Sequence, residues 1–396
     1  MGDRAVARRS RAPLPKGFWP IWTTVALDLV GFGIVVPILG RYAERFGAGG
    51  IEVGLMFASF SVAQMICAPF LGRVSDRIGR KPVIIVSLLG TALGSFITGA
   101  AGALWVLFLG RIIDGASGAS VAVAQGAIAD ISTPDERPRL MGLLGAAFGL
   151  GFVLGPIIGG LAALGGPHVP FFLAGSVALA NAVAAAIRLP ETKPSRDSAA
   201  PAASRSLSLP KSPVQLRFAL MALIASLGFS GFEATFSLFG ERRFGLTESS
   251  TALVFLAVGV SLVAVQGAAI GPLTRRFGSW TLLLGGLLTT ATGLVMLSGA
   301  NVIPVLLVAV VIIAFGQGVS SPSVTSIVTE LVSPERRGEA LGYQQSAGAL
   351  GRITGPIIAG AIFDGLNEGA PYLISAALFV AAFFVVRSVR STTQSH

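Results

Sequence analysis

Charge, cysteine and histidine are scarce in this 396-residue sequence, and each shortage excludes a class of protein. Charged residues make up 12% of the chain, whereas soluble domains carry about 25%. The single cysteine, Cys67, excludes an intramolecular disulfide framework, and His168 and His396 are the only histidines available to a metal site. The sequence contains no Gly-x-x-x-x-Gly-Lys-Ser/Thr phosphate loop, which argues against ATP-driven work. We therefore predict neither an enzyme nor a protein with a cofactor or a metal.

Apolar residues are abundant instead. They form 53% of the chain, and the mean hydropathy is +0.77. Twelve stretches are long enough to cross a hydrocarbon core of roughly 30 Å, which takes about 20 helical residues. Because lipid offers no partner to free backbone groups, all twelve are predicted to be helices. Their predicted ranges are 18–38, 51–72, 82–101, 103–130, 138–163, 168–188, 215–240, 249–273, 280–299, 302–331, 337–363 and 370–387.

The basic residues predict the orientation of these spans. A net charge of +10 would suit a nucleic-acid binder, but here Lys and Arg lie in short connectors and not on one exposed face. Placing both termini in the cytoplasm puts 23 of the 29 basic residues inside. This asymmetry is typical of a multi-pass protein of the bacterial inner membrane, in contact with lipid and not with nucleic acid.

The sequence divides into two similar halves. A segment rich in Pro, Ser and Ala, residues 189–214, separates a predicted six-helix bundle at 18–188 from a second one at 215–387, and tails occupy 1–17 and 388–396. Motifs recur at an offset of 199 or 200 residues, and the pairs include Gly31-Phe32 with Gly231-Phe232, Pro134-Asp135 with Pro334-Glu335, and Gly155-Pro156 with Gly355-Pro356. A duplicated six-helix unit is the architecture of secondary transporters, whose halves rock around a central site.

The connector after the second span carries a glycine-rich charged motif. It comprises Gly72, Asp76, Arg77, Gly79 and Arg80, and we predict a tight glycine-hinged turn with Pro82 at the start of the next helix. This string resembles the signature of the major facilitator superfamily. The resemblance implies a charge network of Asp76 and Arg80 with an acid at the end of the fourth span, here Asp130, that acts as a latch for the outward-facing state. The alternative is a loop that only sets topology.

A second motif lies in the fifth span. Its residues are Gly151, Gly155, Pro156, Gly159 and Gly160, at spacings that place glycines around a proline bend. Small residues let helix backbones approach closely, and proline kinks a helix, so we predict a tight, kinked seam. The pattern resembles the antiporter motif of the proton-coupled drug exporters in the same superfamily. Generic small-residue packing is the alternative interpretation.

Charges within the spans are candidate functional groups because burying them in lipid is costly. Asp28 and Glu233 are candidate proton carriers or substrate contacts, and structural ion pairing is the alternative. Arg111 and Asp114 share one face of the fourth span. The surrounding sequence resembles the fourth-helix motif of drug exporters, which implies a link of Arg111 to proton transfer, and Asp114 stands where that motif has a neutral residue. Arg352 has no evident partner in the sequence.

Uncharged polar and aromatic residues within the spans are candidates for a substrate cavity. Four glutamines either bind substrate or join helices, while phenylalanines either line an aromatic pocket or face lipid, which is the more frequent case for so common a residue. The cavity candidates are Phe32, Gln64, Gln125, Phe232, Gln266 and Gln317.

Over nearly its whole length the chain resembles the twelve-helix drug:proton antiporter family, and from residue 110 to 190 it is similar to tetracycline exporters. The resemblance implies an all-α membrane fold of two pseudo-symmetric six-helix bundles. It also implies a monomer that exports a lipophilic small molecule in exchange for protons. Those exporters carry acids in the third and ninth spans, which this sequence lacks, so a different amphipathic compound stays as open as tetracycline. Two alternatives are an exporter of a sugar or siderophore and a non-transporting membrane receptor.

Overall fold

The fold is all helical in a computed structural model that describes residues 14–133, 136–192, 213–332 and 337–394. Most of the predicted tails and linker lies outside these residues, and so does the repeated pair Pro134-Asp135 with Pro334-Glu335. The domain boundaries therefore stay predictions.

Thirteen α-helices follow one another along the described residues, in which no strand occurs. They are α1 Phe18–Glu44, α2 Gly50–Ile78, α3 Arg80–Gly99, α4 Leu104–Ser117, α5 Ser120–Ile131, α6 Arg137–Ala163, α7 Val169–Arg188, α8 Pro213–Phe244, α9 Glu248–Ala264, α10 Ile270–Ser298, α11 Ile303–Leu331, α12 Arg337–Gly365 and α13 Ala370–Gln394.

Eleven helical runs within the described ranges are long and apolar enough to cross a membrane. One of them, Glu248–Ser298, has 51 residues, which is too long for a single crossing. It contains a π-helical turn, Val265–Ala269, and a break at Gly278, whose φ of 76° and ψ of 155° are not helical. Dividing this run at Gly278 gives the predicted eighth and ninth spans, so the twelve-span architecture is confirmed.

The fourth predicted span is interrupted in the middle. Helix α4 ends at Ser117, Gly118 has a ψ of 39°, and α5 begins at Ser120. Broken helices at membrane depth are tolerated where protein or a water-filled cavity satisfies the free backbone groups. Here the Gln64 side chain of α2 donates a hydrogen bond of 2.9 Å to the Gly118 carbonyl. This break was not predicted from the sequence.

The predicted turn at residues 72–82 is shorter than expected. Helix α2 continues to Ile78, so Gly72, Asp76 and Arg77 are helical, and Gly79 alone makes the turn with a φ of 112°. Charged residues at the end of a span extend the helix into water without cost to the backbone. Only the left-handed glycine breaks the helix, and α3 starts immediately after it.

The helices pack as two bundles with contacts between them. In the first bundle α1 packs on α6 and α7, and in the second α8 packs on α12 and α13. The pairs α2 with α12, α6 with α9 and α1 with α8 join the bundles. We call the end that carries Gly79 and Pro190 the linker face. The opposite end, with connectors 45–49 and 245–247, is called the far face.

Candidate functional site

Asp28 lies in the middle of α1 beside the break between α4 and α5. Its carboxylate accepts a hydrogen bond of 2.5 Å from the hydroxyl of Ser120, the first residue of α5. The N-terminus of a helix carries a partial positive charge that stabilises a nearby anion. The Asp28 side chain is half-buried. The structure therefore places this acid against a neutral hydroxyl and a half-helix terminus, and not against a fixed cation.

Arg111 and Asp114 form a buried ion pair on α4. Their Nη1 and Oδ2 atoms are 2.7 Å apart, and the residues are 3% and 9% exposed. Thr91 of α3 also hydrogen-bonds Asp114, and the guanidinium of Arg111 lies 4.3 Å from the centre of the Phe60 ring. Asp114 interacts electrostatically with Asp28. The expected pairing of Arg111 with its own helix neighbour is confirmed, and the pair lies next to the candidate proton carrier.

Glu233 lies in the second bundle, on α8, and interacts electrostatically with Arg352 of α12. Glu233 is half-buried, whereas Arg352 is exposed. The partner that the sequence did not reveal for Arg352 is therefore an acid on a neighbouring helix. Each bundle thus carries a half-buried acid away from the ends of its helices, Asp28 in the first and Glu233 in the second.

The predicted cavity residues differ in their contacts and in their burial. Phe32 lies 6.0 Å from Phe60 between ring centres, and Gln64 joins α2 to the broken fourth span. Gln317 is half-buried, whereas Gln125 and Gln266 are exposed, the latter on the π-helical turn. The role of these glutamines and of Phe32 in binding substrate stays a prediction.

The structure contradicts the expectation that Phe232 lines a pocket or contacts lipid. Its side chain is 2% exposed and packs 5.3 Å from the Phe236 ring and 6.2 Å from the Tyr372 ring. Aromatic rings at such separations pack as they do in a protein core. Phe232 and Phe236 therefore stabilise the interior of the second bundle and line neither lipid nor an open cavity in this structure.

The charge network at the linker face forms as the resemblance implies. Arg80 contacts Asp76 at 2.5 Å and Asp130 at 2.9 Å, and its Nη1 atom also donates to the Ser75 hydroxyl. Its backbone N–H donates to Glu191, just after α7. One guanidinium therefore ties α2, α3 and α5 together, whereas the exposed side chain of Arg77 lies outside this network.

Replacing Arg80 by alanine is expected to lower the free energy of unfolding by about 1 to 3 kcal/mol, because hydrogen bonds to two carboxylates are lost together. Thermal unfolding in detergent measures this change. Arg73→Ala is the matched control, because Arg73 is exposed on the same end of α2 and surface substitutions stay within about 0.5 kcal/mol. Equal losses in both variants would show that total charge matters and the network does not.

The glycines of the second motif lie on two different interfaces. A Cβ atom on Gly155 would lie 2.5 Å from backbone atoms of Gly33, and one on Gly151 would lie 2.7 Å from the Leu29 carbonyl, both on α1. Gly160 instead faces Ala252 of α9, in the other bundle. The predicted tight seam is therefore present within the first bundle, and its last glycine reaches across to the second bundle.

The repeat of this motif in α12 has the same arrangement. Gly351 and Gly355 face α8 within the second bundle, and Gly360 packs against the Gly50 carbonyl of α2 in the first bundle. Two pseudo-symmetric seams, α6 with α9 and α12 with α2, therefore join the bundles towards the far face. They differ in their polar contacts. Ser249 donates a hydrogen bond of 2.8 Å to the Gly160 carbonyl, whereas the carboxylate of Asp364 accepts two, from the backbone N–H groups of Gly50 and Ile51.

The far face also carries an ion-pair cluster that the sequence does not reveal. Its cations are Arg41, Arg45 and Arg242. The structure brings three glutamates to them, and every pair joins the two bundles. Glu44 of α1 pairs with Arg242 of α8, while Glu241 and Glu248 of the second bundle pair with Arg41 and Arg45. No group of three or more metal-ligating side chains suited to a metal ion occurs in the part of the chain that the structure describes.

Known proteins are similar to this chain over most of its length. The family model of the Major Facilitator Superfamily matches residues 21–300 and 244–396. The tetracycline resistance protein, class C, of Escherichia coli is 31% identical over 381 residues, 92% of this chain and 94% of the relative. Multidrug resistance protein 1 of Bacillus subtilis (strain 168) is 30% identical over 345 residues, 86% and 88% of the two chains. A crystal structure of the human organic anion transporter MFSD10 (TETRAN) is similar with a TM-score of 0.70 and 25% identity, covering 93% of this chain and 98% of that one.

Proposed function

Because the chain belongs to the major facilitator superfamily, we propose that it exports a lipophilic or amphipathic drug-like molecule in exchange for protons. The observation that carries this proposal is Asp28, a half-buried acid that faces a hydroxyl in the middle of the membrane-spanning bundle. Such a group is able to gain and lose a proton without breaking an ion pair. Relatives named for tetracycline resistance and multidrug resistance support a drug as the exported molecule.

We infer that both termini lie in the cytoplasm, because the basic residues cluster in connectors of the linker face. On this orientation the far face is the external one. The far face is joined by ion pairs and backbone contacts in this structure. In alternating access, a state that is closed at the far face opens its central site towards the cytoplasm, where a drug would enter.

The charged groups of the first bundle have separate tasks in this mechanism. Asp28 takes up the proton, and the Ser120 hydroxyl orients its carboxylate. The Arg111–Asp114 pair is neutral as a unit, so it sets the local field while its own charges stay paired in low dielectric. Proton uptake removes the charge of Asp28 and so changes its attraction to the α5 terminus. Because α5 also holds Asp130 of the linker-face network, this change is transmitted to that network.

The test of this function is efflux assayed in everted membrane vesicles with a panel of compounds. We expect a pH gradient to drive accumulation of lipophilic drugs, and collapse of the gradient to return accumulation to the level of vesicles without the protein. The panel includes tetracycline, a quinolone, sugars and siderophores. Accumulation of only the sugars or siderophores would favour a metabolite exporter. Accumulation of drugs that survives collapse of the gradient would contradict proton exchange.

A further inference from the structure

Two glutamates from opposite bundles meet at the far face. Glu44 ends α1, Glu241 lies near the end of α8, and their carboxyl groups are within hydrogen-bonding reach of each other. The Oε2 atom of Glu241 is buried and receives no hydrogen bond from a donor among the described residues. Two carboxylates in contact repel each other, and a pair of this kind holds one proton between its oxygens. The proton supplies the donor that the buried oxygen lacks.

The arginines around this pair do not remove the need for a proton. Glu248 draws two of them, with Arg45 at 2.8 Å and Arg41 at 3.3 Å. Arg41 also donates to the Leu246 carbonyl. The arginine contacts of the two glutamates are longer. Arg41 lies 3.5 Å from Glu241, and Arg242, which stacks on a phenylalanine ring, lies 3.7 Å from Glu44.

The other charged groups on the neighbouring elements are engaged elsewhere. Arg243 pairs with Glu368, Asp364 accepts from the first N–H groups of α2, and Glu52 accepts from the Gly49 N–H. The ring of His168 hydrogen-bonds the Tyr42 hydroxyl of α1. The cations that contact the glutamate pair are therefore Arg41 and Arg242, while Arg45 pairs with Glu248.

We propose that Glu44 and Glu241 form a second proton-binding site, which holds one proton while the far face is closed. When the bundles separate there, the two carboxyl groups part, become hydrated and release that proton as both return to carboxylates. Closure of the far face takes a proton up again. The site is thus a proton-dependent gate, separate from Asp28. Its place in the transport cycle, with uptake from outside the cell, rests on the proposed function.

Spin-label distances across the far face test the gate. Cys67→Ser removes the single cysteine, and Leu164→Cys with Leu366→Cys places labels on the two bundles at side chains that are 75% and 70% exposed. Asp28→Asn and Glu233→Gln in the same protein remove the two other candidate proton carriers. In this background we expect the short-distance population to dominate at acidic pH. As the pH rises, the ratio of the short-distance to the long-distance population falls by up to about tenfold per pH unit, which is the limit for one linked proton.

Glu241→Gln is expected to remain closed at all pH values, because the amide donates permanently to Glu44. Glu44→Gln is a second variant with the same expectation. Glu248→Gln is the control, since it weakens the arginine contacts, lowers the closed population and keeps the pH dependence. A pH dependence that is unchanged in Glu241→Gln and Glu44→Gln, or that is absent from the parent, would overturn the gate. Failure of drug efflux in vesicles with this titration intact would sink only the proposed function.

Discussion

Asp28→Asn is expected to abolish uphill drug efflux while drug binding is partly retained. Asparagine has the same shape as aspartate, and its side-chain oxygen is able to accept the hydrogen bond from Ser120 that the structure shows. Its amide neither gains nor loses a proton near neutral pH. The variant therefore still offers a site to the drug and loses the step that links transport to the pH gradient. Accumulation in everted vesicles measures the first quantity, and equilibrium binding of a labelled drug to the purified protein measures the second.

Glu368→Gln is the matched control for this substitution. A hydrogen bond from its own backbone N–H and another from Arg243 lower the pKa of Glu368, so this connector residue stays ionised near neutral pH and does not carry protons. We expect efflux by the Glu368→Gln variant to equal that of the parent. If Asp28→Asn still concentrates drug against a gradient, Asp28 is not the coupling acid, and Glu233 becomes the candidate to substitute next.

Gly155→Leu is expected to be the most damaging glycine substitution in α6. A Cβ atom at this position lies 2.5 Å from the Cα and C atoms of Gly33. Backbone atoms cannot rotate away, so α1 and α6 must separate. Overpacking of a well-packed interface costs about 1 to 3 kcal/mol, and this seam also positions Asp28 on α1. We expect a lower midpoint of thermal unfolding in detergent and loss of efflux in vesicles.

Gly145→Leu controls for the introduction of a large apolar side chain into the same helix. A Cβ atom on Gly145 meets nothing within 4 Å, and the residue is exposed. This variant should therefore unfold and transport like the parent. Similar damage from both substitutions would mean that α6 is sensitive to helix composition and that the contact with Gly33 has no special importance.

The sequence predicted what depends on hydropathy and on short motifs. All twelve spans were expected, because an apolar stretch of this length satisfies its backbone groups in lipid only as a helix. The partners of Arg80 and Arg111 lay in recognisable sequence motifs. The break at Gly118 was missed because glycine and alanine are common inside membrane helices and carry no distinct signal there. The ion pairs of Glu241 and Glu248 were missed because they depend on how two bundles meet. Phe232 was misjudged because composition does not tell a core ring from a lipid-facing one.

The two seams of the far face differ in strength, and this difference has a geometric consequence. In the seam of α6 with α9, the hydroxyl of Ser249 donates one hydrogen bond to a carbonyl. In the seam of α12 with α2, the Asp364 carboxylate accepts hydrogen bonds from two N–H groups at the start of α2. Charged acceptors form hydrogen bonds about twice as strong as neutral ones. An opening motion would then separate α6 from α9 first and rotate the bundles about the contact between α2 and α12. A departing molecule would leave past α6 and α9 rather than along the pseudo-twofold axis.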